Sequence, residues 1–168
     1  MIFPCAPSGE ILVLGVGNPL CGDDGLGPCA IEMLAGAPAS AGLTHAHLQD
    51  AGLPGWGLPS WFQGWQRVIL IDAVELGQSP GFWRRFQPED VQLWLQDEHL
   101  SLHQPDLACG LALAQALDML PEQLFIYGMQ PADTTPGAPL SPQVRARLPE
   151  MIDHLIAELN STAIQDKI

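Results

Sequence analysis

Two aspartates, each following an apolar run, have the residue type and the position for chemistry. Asp24 comes after the run Ile11–Val16 and the Gly-rich turn that ends it, and Asp72 directly follows the run 68–71. Ligands of open α/β sheets bind beyond the carboxyl ends of the strands, so both carboxylates stand where a site is expected. If the two strands are neighbours, about 5 Å apart, Asp24 and Asp72 can share one cation.

Both aspartates also have structural alternatives. Asp23 and Asp24 lie at a predicted helix start, where the helix dipole stabilises a carboxylate and a side-chain oxygen can accept backbone N–H bonds. We assign the capping role to Asp23 and the role of ligand or acid/base group to Asp24, although the turn alone does not separate the two. Asp72 can likewise be a turn-forming residue, which is common after a strand.

His103 is the third candidate, because it comes just before a predicted helix that begins at Pro105. A lone histidine in that setting is more often a capping or surface residue. Together with two carboxylates, however, its imidazole would complete an open site for a borderline divalent metal. The sequence alone leaves open whether the three side chains converge. The remaining histidines lack this setting: His45, His47, His99 and His154.

The Gly-rich turn also invites a second interpretation, a dinucleotide-binding loop. Gly15 and Gly17 fit the first two positions of G-x-G-x-x-G, but Leu20 occupies the third. Asp23 and Asp24 would also repel a pyrophosphate at the helix N-terminus. The nucleotide-binding interpretation is therefore the weaker of the two.

The elements that must position these side chains alternate between strand-like and helix-like patterns. This alternation favours a largely parallel sheet with helices on both faces. We expect a single domain over residues 1–168, with 1–10 and 161–168 as peripheral tails. Predicted strands cover residues 11–16, 43–48, 68–71, 82–86 (an edge strand, because of its two arginines) and 124–129. Predicted helices cover residues 24–35, 58–65, 105–120 and 142–159.

The charge balance excludes several classes of partner. The chain has 19 acidic and 6 basic residues and a formal net charge of -13, and such a field repels nucleic acids and anionic membrane surfaces. No pair of its four cysteines is spaced as C-x-x-C, and free cysteines suit a reducing compartment. No apolar stretch is long and unbroken enough to span a bilayer. We therefore expect a cytoplasmic protein that binds neither nucleic acid nor membrane.

A series of short stretches follows a specific order between residues 11 and 160. They are residues 15–20 (GVGNPL), 23–27 (DDGLG), 50–55 (DAGLPG), 68–73 (VILIDA), 101–104 (SLHQ), 128–131 (GMQP) and 140–142 (LSP). As an ordered set they closely resemble the nickel–iron hydrogenase maturation endopeptidases. The chain departs from the family's pattern at Ala51 and Leu53, which replace a Gly and a Thr, so the roles of those two positions do not carry over.

The resemblance implies a three-layer α/β/α sandwich with a five-stranded, mostly parallel sheet of order 2-1-3-5-4, in which strand 4 is antiparallel. It also implies that Asp24, Asp72 and His103 are the catalytic and metal-binding residues of a metal-dependent endopeptidase. The implied reaction removes the C-terminal extension from the precursor of a nickel–iron hydrogenase large subunit after nickel insertion, using the bound nickel for substrate recognition.

The implied ligand set leaves coordination positions open. We therefore expect the free protein to hold metal weakly and nickel to arrive with the substrate. The alternative function is a non-enzymatic, nickel-checking chaperone that binds the same precursor without cutting it.

An aromatic cluster precedes the run 68–71. The spacing of Trp56, Trp61, Phe62 and Trp65 is mostly that of a buried helix face, so these residues are predicted to belong mainly to the core. Part of the cluster is expected to line the groove that receives the tail of the precursor.

Overall fold

Five strands form the centre of the protein in a computed structural model that describes residues 10–38, 41–87, 90 and 105–165. They are β1 (Ile11–Val16), β2 (Ala46–Gly52), β3 (Arg67–Ala73), β4 (Trp83–Phe86) and β5 (Gln123–Met129). They make one sheet in the order β2-β1-β3-β5-β4, in which β4 is antiparallel to β5 and the other neighbours are parallel. The order and directions confirm the predicted fold.

Helices cover both faces of this sheet. They are α1 (Leu26–Ala35), α2 (Leu58–Phe62), α3 (Pro105–Ala116) and α4 (Pro142–Gln165). The apolar side chains of α1 and α4 pack on one face and those of α2 and α3 on the other, which gives the expected three layers. Within the described ranges, no helix combines the length and the apolarity needed to cross a membrane.

The central strands are those with the clearest sequence signal. All six residues of β1 are buried, as are the last six of β3 and of β5. Parallel strands covered on both faces are continuous apolar runs, which is why the sequence predicts them. β4 is short and pairs only with β5 among the described strands, in agreement with the edge position predicted from Arg84 and Arg85.

Two elements begin two or more residues later than predicted, because a turn precedes each. β2 begins at Ala46 rather than residue 43, since the Ala46 N–H donates to the Leu43 carbonyl and closes a turn. α1 begins at Leu26 rather than residue 24, since Gly22–Gly25 form a tighter 3-10 turn.

Five elements also end elsewhere. β2 continues to Gly52 instead of ending at residue 48, and α4 continues to Gln165 instead of residue 159. α2 ends at Phe62 instead of residue 65, because Gln63 leaves the helical conformation with a ψ of 119°.

β3 continues through Asp72, which pairs with Gly128 of β5, so the prediction that this strand ends at Ile71 was wrong. α3 ends at Ala116 instead of residue 120, because Asp118 adopts a left-handed conformation with φ of 55°.

Candidate functional site

A chain reversal at Gly17 places Asp24 at the carboxyl end of β1. Gly17 has a φ of 130°, and a Cβ there would come within 1.9 Å of the Asp24 carbonyl oxygen, so only glycine permits this approach. The Asp24 side chain is 5% exposed, and its Oδ2 accepts a hydrogen bond from the Asn18 N–H at 2.9 Å. The turn thus holds one carboxylate in a largely buried position at the carboxyl end of the central strand β1.

The first turn of α1 fixes this acidic turn over two strands at once. A Cβ on Gly27 would lie 2.2 Å from the Val16 carbonyl oxygen and 2.6 Å from the Ile71 carbonyl oxygen. The helix therefore rests directly on the backbone of β1 and β3. Because β1 and β3 are paired neighbours, the residue after Ile71 lies beside the turn.

That residue is Asp72, which is 2% exposed and whose carboxylate is incompletely paired. The Ala73 N–H donates to it, but in the described part of the chain its Oδ1 has no hydrogen-bond partner. Burial, and then the charge of Asp24, raise the pKa of the Asp72 carboxyl group well above its ordinary value. The two carboxylates are thus electrostatically coupled at the ends of the neighbouring strands β1 and β3.

Such an arrangement offers a buried carboxylate oxygen to a cation or a proton. A buried carboxylate oxygen without a donor is costly unless something else satisfies it, and two oxygen donors suit a divalent metal that brings its other ligands with it. Across the described residues, however, no group of three or more His, Cys, Asp or Glu side chains is placed to hold a metal ion. The third predicted residue, His103, lies outside the described residues.

Asp23 has a different partner from the one predicted. The 3-10 turn that contains it has no side-chain cap. Instead, the Asp23 carboxylate accepts backbone N–H bonds from Ala132, Asp133 and Ser141, so the prediction that it caps its own helix was wrong. No local pattern in the sequence indicates these partners, because more than a hundred residues separate them from Asp23.

The described histidines form hydrogen bonds with groups other than the carboxylates of Asp24 and Asp72. The ring of His45 bonds the Leu159 carbonyl, His47 pairs with Glu10, and Nδ1 of His154 bonds the Tyr127 hydroxyl. These contacts agree with the prediction that they lack a functional setting. His99 lies outside the described residues.

Exposed apolar side chains follow the carboxyl ends of β1 and β2. Leu20, Leu53 and Trp56, here termed the apolar rim, are 73%, 48% and 69% exposed. The prediction that the aromatic cluster is mainly core is confirmed for Phe62 and Trp65, which are buried, and Trp61 packs against the same core, whereas Trp56 is exposed. The apolar rim is suited to contact an apolar peptide segment.

A cavity of about 480 Å³ lies at the opposite, amino edge of the sheet. Its lining includes Trp65 and Gln66, just before β3, and Pro121 and Glu122, just before β5. The cavity is therefore separate from the site built around Asp24 and Asp72.

Comparisons with known proteins agree on one family. The profile of a family described as hydrogenase maturation protease (HycI) matches residues 32–158. The hydrogenase expression/formation protein HupD of Thiocapsa roseopersicina is 34% identical over 145 residues, which cover 86% of this chain and 65% of that protein. HupD of Rhizobium leguminosarum bv. viciae is 32% identical over 159 residues, 94% of this chain and 78% of that protein. The solved structure of the hydrogenase maturating endopeptidase HybD from E. coli superposes with a TM-score of 0.73 at 27% identity, over 91% of this chain and 93% of that one.

Proposed function

This chain belongs to the hydrogenase maturation protease family, and from that premise we propose that it is an endopeptidase acting on a nickel–iron hydrogenase large-subunit precursor. In this proposal it removes the C-terminal extension of the precursor after nickel has been inserted, and it recognises the inserted nickel. The observation that supports the proposal is the buried pair of Asp24 and Asp72 at the carboxyl edge of the sheet, where one oxygen of Asp72 has no hydrogen-bond partner among the described residues.

Nickel enters this scheme as part of the substrate. The precursor holds the ion with its own ligands, and Asp24 and Asp72 offer it additional oxygens. The chemistry that such an ion supplies is polarisation of the scissile carbonyl or activation of a water molecule. The role of this chain is to orient the loaded tail and to accept it only when the ion is present.

We propose His103 as the third residue of the site. Asp72 lies on the same strand face as Val68 and Leu70, and that face is covered by α2 and α3. Only residues 117–122 join the end of α3 to the amino end of β5, so we infer that α3 runs back along the sheet and begins towards its carboxyl edge. His103 is two residues before α3 in the sequence. Chain order thus supports an imidazole near the carboxylate pair.

The test is mass spectrometry of purified precursor, nickel-loaded or nickel-free, before and after incubation with this protein. We expect the loaded precursor alone to lose its C-terminal extension. Asp72→Asn and His103→Ala should each slow removal by about 100-fold or more while the circular dichroism spectrum stays native. Asp118→Asn, which makes the same change as the first variant but outside the site, should cleave at the wild-type rate.

The same experiment separates the two candidate functions. Binding of the loaded precursor with no change in its mass would overturn the endopeptidase proposal in favour of the chaperone. Equal cleavage of nickel-free precursor would overturn recognition through nickel, and normal processing by folded His103→Ala would remove His103 from the site.

A further inference from the structure

Asp23 is a buried carboxylate for which the proposed chemistry gives no role. It is fully buried, with a relative exposure of 0%. Its Oδ2 accepts the N–H groups of Ala132 and Asp133 at 2.7 and 3.0 Å, and its Oδ1 accepts that of Ser141 at 2.6 Å. Three charge-assisted hydrogen bonds offset much of the cost of burying a carboxylate. All three donors belong to loop 131–141, which joins β5 to α4.

Backbone hydrogen bonds join the same two segments around this carboxylate. The Asp23 N–H donates to the Asp133 carbonyl at 2.7 Å, and the Gly22 N–H donates to the Ala138 carbonyl at 3.0 Å. In the reverse direction, the Gly137 N–H donates to the Leu20 carbonyl at 2.7 Å. The acidic turn and loop 131–141 are thus bonded through both main chain and side chain.

The far end of this loop is itself anchored. Ser141 precedes α4, and its hydroxyl accepts the Val144 N–H at 3.3 Å, so it caps that helix. The Asp23 carboxylate therefore lies at the amino end of a 24-residue helix, where the helix dipole favours a negative charge. α4 packs on the sheet through a continuous apolar stripe, so Asp23 links the acidic turn to a firmly held element.

We propose that Asp23 is a positioning residue for the reaction: by binding loop 131–141, it fixes the neighbouring Asp24 carboxylate beside Asp72. Asp23 and Asp24 are joined by one peptide bond in the same 3-10 turn. A backbone rotation that carries Asp23 away from the loop therefore also moves Asp24. The two adjacent aspartates have different roles. Asp23 accepts backbone hydrogen bonds, and Asp24 is electrostatically coupled to Asp72. The inference rests on the proposed function.

Asp23→Asn tests it by removing one acceptor without changing the shape of the side chain. The amide has a single acceptor oxygen, so its NH2 group must face either the Ala132 and Asp133 N–H groups or that of Ser141. We expect kcat for removal of the precursor tail to fall by about 10-fold or more. KM should stay within about twofold, because Asp23 does not touch the substrate. The assay is run well below the melting temperature, where circular dichroism shows the variant fully folded, so a merely structural role would leave kcat unchanged.

Asp133→Asn is the matched control. It makes the same substitution in the partner loop, but on an exposed side chain whose bond to the Thr135 N–H an amide oxygen can also make. It leaves every bond of the Asp23 carboxylate in place, so kcat and KM should both stay at wild-type values. If Asp23→Asn does not fold, Asp23→Ser repeats the test with a smaller side chain.

Each other result overturns a specific statement. A folded Asp23 variant with wild-type kcat, or one changed only in KM, rejects the positioning role, as does failure of both variants to fold. A wild-type protein that leaves the loaded precursor uncut rejects the proposed function, and the inference falls with it. A cleaving wild type beside an unimpaired variant rejects the inference alone.

Discussion

At the scale of single residues, the Asp72 carboxyl group lies in an environment that disfavours its ionised form. Burial and the nearby Asp24 carboxylate raise its pKa well above the ordinary 3.8. The native protein therefore keeps a proton that the unfolded chain releases near pH 3.8. Between that pH and the raised pKa, stability falls as pH increases, because the native state binds more protons than the unfolded state. Such a cost is typical of functional sites, where stability is given up for chemistry.

We predict that Asp72→Asn raises the free energy of unfolding at pH 7 by about 1 kcal/mol, although it slows cleavage by about 100-fold or more. The amide carries no charge, so neither burial nor repulsion by Asp24 penalises it as they penalise the carboxylate. Urea denaturation from pH 3 to pH 8 measures the difference, which should vanish below the ordinary pKa of aspartate, 3.8. A variant that is less stable than the wild type at pH 7 would contradict the unfavourable environment assigned to Asp72.

At the scale of elements, an ionic cluster joins the edge strand to the last helix. Glu158 of α4 accepts two hydrogen bonds from Arg85 of β4, at 2.6 and 2.8 Å, and one from the Tyr127 hydroxyl of β5 at 2.6 Å. The Arg85 guanidinium also lies 4.0 Å from the centre of the Phe125 ring. Burial alone would raise the pKa of Glu158, but the hydrogen bonds from Arg85 and Tyr127 outweigh it and lower that pKa below 4.5.

We predict that Glu158→Gln destabilises the protein by about 2 kcal/mol at pH 7, because it breaks the charge-assisted bonds to Arg85. A lowered pKa stabilises the native state above the unfolded value and loses that contribution as pH falls through the folded one. The difference between variant and wild type should therefore shrink below pH 4.5. Glu150→Gln is the control on the same helix; its exposed pair with Arg147 should contribute less than about 1 kcal/mol. Thermal denaturation measures the stability of both variants. An equal loss of stability in the two would contradict the stabilising role of the Glu158 cluster.

Also at this scale, the sequence predicts what is local and misses what is not. β1, β3 and β5 are apolar runs buried on both faces, so their positions follow from composition alone. The turn before β2 depends on one backbone hydrogen bond, and its apolar pattern is weak, so the predicted start was early. Asp24 and Asp72 could be chosen because each follows a strand, but their adjacency depends on the pairing of β1 with β3. The partners of Asp23 are set by tertiary structure, and no local pattern in the sequence encodes them.

At the scale of the whole molecule, exposed apolar side chains lie both at the carboxyl ends and at the amino ends of the parallel strands. The apolar rim follows β1 and β2 at the edge that carries Asp24 and Asp72. Leu117, 54% exposed, lies at the other edge, between α3 and β5. In a protein with a formal net charge of -13, exposed tryptophan and leucine beside a buried site favour contact with an apolar part of the substrate.

We predict that Trp56→Ala raises KM for the nickel-loaded precursor by about 10-fold, equivalent to about 1.4 kcal/mol of binding free energy. Tryptophan side chains often dominate contact surfaces, and the loss of a contact common to ground and transition state leaves kcat unchanged. Leu117→Ala removes a similarly exposed apolar side chain from the opposite edge and should leave KM at the wild-type value. Steady-state cleavage with both variants decides the matter. An equal rise in KM for Leu117→Ala would mean that binding depends on the amount of exposed apolar surface and not on its location. An unchanged KM for Trp56→Ala would show that the apolar rim does not contact the substrate.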